Sequence, residues 1–267
     1  MCFKKIAEWF KPDPIIPVEG SKIALIFTIG NYPGSQNDLD GPPYDSENVL
    51  NFLIDNYPDF AIINYSDSEV TRSRFENTIK AQISTTKSGD ILLIYYSGHG
   101  TNGYDSSEPD GYKEGLYLYD GTYWDDQFTA ILQNIPTGAK VIIALDSCFA
   151  HGSTEPKGNP RVYRKSKFVP TQKISKKLKR IKPILKSDMM NYIVFAACGE
   201  DQTSADAVIN GKPCGAFTYF WLKAWNKNFN YINWNNETVR LIKTSNQFDQ
   251  KPNLEGDINL QEQIIFT

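Results

Sequence analysis

Residues 141–152 read VIIALDSCFAHG: five apolar residues, Val141 to Leu145, run straight into Asp146, Ser147 and the thiol of Cys148. A short apolar run that ends abruptly in polar residues is the pattern of a strand buried on both faces. DILLIYYSGHG (90–100) follows the same grammar and ends in Ser97, Gly98, His99 and Gly100. KIALIFTIG (22–30) and FAIINY (60–65) are further runs of this kind upstream, and NYIVFAAC (191–198) another downstream. Between them lie helical patterns. DSENVLNFLIDNY (45–57) spaces Val49, Leu50, Leu53 and Ile54 along one face, with Asp45 or Ser46 as its natural N-cap. TRSRFENTIKAQIS (71–84) places Phe75, Ile79 and Ile83 four apart; GAFTYFWLKAW (215–225) and NETVRLIKTSNQF (236–248) read as later helices, and LQEQIIFT (260–267) as a closing strand. Strands alternating with helices at these lengths predict an α/β fold, with a six-stranded, mostly parallel sheet flanked by helices.

Such sheets gather ligands at the carboxyl ends of their strands. Both SGHG and DSC sit at such ends, so His99 and Cys148 are expected at one edge. A thiol becomes a nucleophile when a base favours its thiolate. The chain has two histidines, His99 and His151. His99 lies between two glycines that expose it, whereas His151 is three residues from Cys148 on a turn, so His99 is the expected base. Cys198 and Cys214 read as packing residues.

Composition bounds the alternatives. The 267 residues carry 40% hydrophobic and 22% charged side chains with a net charge of −3, an ordinary globular composition with no global attraction to nucleic acid or acidic membranes. The four cysteines form no CxxC pair, which disfavours zinc. The opening MCFKKIAEWF is too short and too charged for a signal h-region. It reads as a small amphipathic helix, Phe3, Ile6, Trp9 and Phe10 on one side, docking on the protein's own core, with a membrane or partner contact as the alternative. A reducing, cytoplasmic setting is expected, and no apolar run approaches the roughly 20 residues that span a bilayer. One segment stands apart: between Lys157 and Lys186 lie twelve of the 28 Lys and Arg residues and no acid. With its prolines and weak periodicity, 153–188 reads as a long exposed connection.

YYSGHG followed by LDSCF resembles the caspase-like cysteine peptidases, and specifically the metacaspases. GEDQTSAD (199–206) is similar to the QTSAD segment of their small subunit, GAFTYFWLKAW to the G-x-F-T helix after it, and GPPYDSENV (41–49) stands where they have a G-x-x-x-D turn. The resemblance covers residues 21–267. It divides the chain into an N-terminal segment (1–20), a large-subunit region (21–152), a basic linker (153–188) and a small-subunit region (189–267). The animal caspase signature Q-A-C is absent, Asp146 and Ser147 taking the places of Gln and Ala.

The resemblance implies a caspase-like fold and a Cys–His dyad. Cys148 attacks a peptide carbonyl, the backbone N–H groups of Gly100 and Cys148 hold the oxyanion, and His99 protonates the leaving amine and then activates water. No cofactor is required for that chemistry. Asp45 and Asp146, with Ser97 beside them, stand where animal caspases carry pocket arginines. Two carboxylates in one pocket select Arg or Lys before the cut and repel an acid. The implied partners are protein or peptide substrates with Arg or Lys at that position. The basic stretch 157–186 then reads as a self-processing linker, the chain being its own substrate. Its rival, a basic arm for nucleic acid, lacks any base-stacking or groove-reading motif. Calcium is the activator the family suggests, with Asp110, Asp125, Asp126 and Glu155 as the expected ligands, though Lys113 replaces an acid of the first motif. The reading from a different class is a catalytically silent relative serving as a scaffold or binding module.

Overall fold

The computed structural model describes residues 20–106, 112–148, 164–169, 191–199 and 202–267. The N-terminal segment and its expected helix, His151, Asp110 and Glu155 lie outside the described residues. So does most of the basic linker.

Apolar runs form the centre. Strands β1 (Lys22–Thr28), β2 (Phe60–Ser66) and β3 (Ile91–Ser97) are followed, after a hairpin sheet of β4 (Gly100–Tyr104), β5 (Tyr112–Leu118) and β6 (Gly121–Trp124), by β7 (Lys140–Asp146). Then come β8 (Arg164–Ser166), β9 (Tyr192–Ala196), β10 (Ala205–Ile209), β11 (Lys212–Gly215) and β12 (Asn253–Gly256). The helices are α1 (Pro42–Asn56), α2 (Arg72–Thr85), α3 (Asp125–Leu132), α4 (Ala216–Ala224), α5 (Tyr231–Ser245) and α6 (Ile258–Gln261). The main sheet has six strands in the order β12-β9-β7-β3-β1-β2, all parallel except β12. A smaller sheet, β11-β10-β8, lies beside it.

Alternating residues of β1 explain the two layers. Ile23, Leu25 and Phe27 join Phe75, Ile79 and Ile83 of α2 and Phe128 and Ile131 of α3 on one face. Ala24 and Ile26 face the opposite way, with Val49 and Leu53 of α1, Trp221 of α4 and Trp234 of α5. The two indoles stack with centroids 4.2 Å apart. None of the described helices is long and apolar enough to cross a membrane.

The observed elements depart from the sequence pattern at several places. The first helix begins at Pro42 with Gly41 as its N-cap, and Asp45 sits buried inside its first turn rather than capping it. Pro at the first helical position, pre-set for the helix, moves the start upstream. Helix α5 likewise starts at Tyr231, capped by Asn230. LQEQIIFT is not a strand: the closing strand is β12, and α6 follows it. Ile265 and Phe266 are buried through Ile265 N–H donating to Phe229 O and Phe266 N–H to the Tyr231 hydroxyl, so their apolar run signals burial without a ladder. The described part of the linker is not an exposed connection. It enters the smaller sheet as β8, and Lys167 is fully buried.

Candidate active site

The β3–β7 register builds the site. Ser97 at the end of β3 lies opposite Asp146 at the end of β7. Two residues further along each chain stand His99 and Cys148, both buried. Gly100 has to be glycine, because a Cβ there would lie 1.8 Å from Cys148 O.

Asp45, Ser97 and Asp146 converge on one point, and that point is occupied by the ammonium of Lys167. Its Nζ donates to Ser97 Oγ at 2.9 Å and pairs with Asp45 Oδ2 and Asp146 Oδ1, each at 3.2 Å. None of these side chains is reached by solvent. The carboxylates are held from behind. Asp45 accepts from Gly215 N–H (2.8 Å) and Ser97 Oγ (2.7 Å). Asp146 accepts from Ser204 Oγ (2.8 Å) and from Thr218 N–H (3.1 Å) and Oγ1 (2.6 Å), at the N-terminus of α4, where the helix dipole favours negative charge. Gly215 must lack a side chain, since a Cβ would lie 2.0 Å from Asp146 Oδ2. Burial raises Asp45 to about 6, against the pull of Lys167. Burial works to discharge Lys167, but Asp146 and Asp45 outweigh it and hold the ammonium protonated.

The backbone of Lys167 is as firmly placed. Its carbonyl oxygen accepts from Gly100 N–H at 2.9 Å and Cys148 N–H at 3.2 Å. Two preorganised backbone donors converging on one carbonyl beside a thiol can stabilise the oxyanion of a tetrahedral adduct. Cys148 Sγ donates to Ser204 O at 3.3 Å and accepts from Ser204 N–H. His99 Nε2 meets Asn37 O at 2.8 Å, so Asn37 fixes the tautomer with hydrogen on Nε2. Nδ1 is buried and makes no hydrogen bond of good geometry among the described residues, although the backbone of Lys167 also lies against the ring. Tyr32 braces the ring: its hydroxyl accepts from His99 N–H at 2.8 Å, and the ring centroids are 5.0 Å apart. Burial lowers the imidazole to about 4, so it is neutral near pH 7.

Sequence reading did not single out Tyr32, Asn37, Lys167, Ser204, Gly215 or Thr218. Thr218 lies in the G-x-F-T stretch and Ser204 in QTSAD, segments whose resemblance to the family assigns neither residue a role. The Asn37 contribution is a main-chain carbonyl, to which residue type gives no clue. Cys198 and Cys214 are buried free thiols. The first is pushed well above the usual thiol range by its contact with Cys148 and by burial, and the second to about 12 by burial. Of the expected calcium ligands, Asp125 and Asp126 are exposed in the first turn of α3. The described residues bring no three His, Cys, Asp or Glu side chains together as a metal cluster.

A doubly covered, mostly parallel sheet with a thiol and an imidazole at adjacent strand ends is a caspase-like architecture. The caspase domain model of the C14 peptidases matches residues 21–260, and the chain belongs to that family. It is 28% identical to Metacaspase-1 of Meyerozyma guilliermondii over 301 residues, spanning 91% of this chain and 72% of the relative. It is 27% identical to Metacaspase-1 of Candida albicans, spanning 91% and 67%. Metacaspase-7 of Arabidopsis thaliana is 32% identical over 143 residues, 49% of this chain and 35% of the relative. Among solved structures, a Geobacter sulfurreducens protein superposes with a TM-score of 0.69 at 22% identity, covering 92% of this chain and 98% of that one. Caspase-1 of Spodoptera frugiperda gives 0.62 at 12%, covering 92% and 91%. The protein is a cysteine-type peptidase.

Proposed function

We propose that the chain is a metacaspase-type endopeptidase that cuts after Lys or Arg through a Cys148–His99 dyad and processes its own linker. One observation carries the reading: a lysine side chain lies between Asp45 and Asp146 while its carbonyl accepts from Gly100 and Cys148 N–H. In that reading His99 Nδ1 takes the thiol proton, the thiolate attacks the carbonyl carbon, and the oxyanion gathers the two N–H bonds. His99 then protonates the departing amine and draws a proton from the water that cleaves the thioester. Two buried carboxylates give a basic side chain its counter-charge, and an acidic one would meet only repulsion.

Calcium acts as an activator in this proposal, through Asp125 and Asp126 together with acids outside the described residues. The reducing, cytoplasmic setting is part of the same reading, which the unpaired thiols of Cys148, Cys198 and Cys214 support.

A panel of fluorogenic peptides differing only in the residue before the cut, with added calcium or chelator, tests the proposal. Hydrolysis after Lys or Arg, none after Asp, and loss of activity in Cys148→Ala are expected. Cleavage after Asp alone would sink it, and activity indifferent to chelator would remove calcium.

A further inference from the structure

We propose that the bond this chain cuts in itself is Lys167–Phe168, and that residues 164–169 keep the site closed until it is cut. This rests on the peptidase reading above and adds a register and a mode of control to it.

The segment lies in the site as an added strand. Arg164, Lys165 and Ser166 pair antiparallel with Ala207, Asp206 and Ala205 of β10, and Lys167 N–H donates to Ser204 O at 3.2 Å. Main-chain pairing of this kind supplies affinity independent of sequence, and side-chain pockets supply the choice. Here the choice is made at Lys167, whose ammonium has three acceptors, Ser97 Oγ and the two carboxylates, for its three N–H bonds. Lys165 adds a second basic contact, its Nζ donating to Asp38 O. The far side of the bond is held too. Val169 N–H donates to Gly100 O at 3.0 Å, and its carbonyl accepts from Thr101 Oγ1 at 2.6 Å. Anchors on both sides fix the Lys167 carbonyl on the two N–H donors beside the Cys148 thiol. Orientation of this sort converts a bimolecular encounter into a unimolecular step.

The step balances with one water. Sulfur forms a bond to the carbonyl carbon of Lys167 as the C–N bond to Phe168 breaks, and the thiol proton passes through His99 to the Phe168 amine. Water then splits the thioester, leaving a Lys167 carboxylate and a regenerated thiol. Until that happens His99 is 3% exposed and Cys148 wholly covered. The uncut chain is therefore a poor peptidase in trans.

The full-length chain, incubated after purification, is followed by intact mass and N-terminal sequencing. Fragments 1–167 and 168–267, with Phe168 as the new terminus and none in Cys148→Ala, are expected. Phe168→Pro keeps the Lys167 side chain but supplies a poor leaving nitrogen. It should remain uncut and hydrolyse Lys peptides at least tenfold more slowly than the processed wild type. A synthetic RKSKFV peptide should be cut by processed enzyme between Lys and Phe. First cleavage at another bond, or an uncut chain as active on peptides as the processed one, would overturn the proposal while leaving the peptidase reading intact. Failure of every form to cut Lys or Arg peptides would overturn the peptidase reading itself.

Discussion

Asp146 shows how much one carboxylate can carry. It receives three hydrogen bonds from Ser204 and Thr218 and still faces Lys167. Removing one partner of a buried charge pair costs about 3–5 kcal/mol. Asp146→Asn should lose that much in denaturant unfolding of the uncut Cys148→Ala chain, and in active protein it should abolish preference for a basic side chain. His99 gives a pH signature. Its folded value of about 4 lies below its ordinary 6.5 because burial excludes the charged form. Its contribution to stability is whole above pH 6.5 and shrinks as pH falls towards 4, since the unfolded chain takes the proton first. The loss is about 2 kcal/mol at pH 5. Asp45, raised to about 6 by burial, acts with the opposite sign between pH 6 and its unfolded value. Both His99→Gln and its parent retain that effect. Urea titrations at pH 7 and 5 should therefore show the variant losing about 2 kcal/mol less than the parent.

Elements differ in how plainly they are written in the chain. Strands β1, β3 and β7 are covered on both faces, so their apolar runs announce them. The β4–β6 hairpins and the smaller sheet carry glycines, lysines and acids, and their pairing depends on neighbours distant in sequence. The strand ends bearing His99 and Cys148 were legible because polar residues closing an apolar run mark the carboxyl edge of a parallel sheet. Lys167 was not, because a lysine in a basic stretch reads as solvated until its two carboxylates, 122 and 21 positions away, are seen around it. At the start of β4 the tolerance is small. Gly100→Ala pushes a methyl group into Cys148 O and displaces a donor from the carbonyl. A fall of roughly 10²–10³ in kcat with an unchanged far-ultraviolet circular dichroism spectrum is expected.

Across the whole molecule, stability is unevenly distributed. The six-stranded sheet is packed between two apolar layers, whereas β8 is three residues and, among the described residues, pairs with β10. Short edge elements open locally at less than the global free energy. Hydrogen exchange on uncut Cys148→Ala should show Lys167 and Val169 amides exchanging well before those of Ile26 and Leu93. Equal protection would mean that the strand leaves only by global unfolding.

In the proposed function Cys148 is the nucleophile of a site that selects a basic residue. Processed protein treated in parallel with a lysine-headed and an aspartate-headed chloromethyl ketone, then mapped by peptide mass spectrometry, tests it most directly. One equivalent of the lysine reagent on Cys148, with the aspartate reagent far slower, is the predicted result. Faster labelling by the aspartate reagent, or label on Cys198 or Cys214 in place of Cys148, would contradict it.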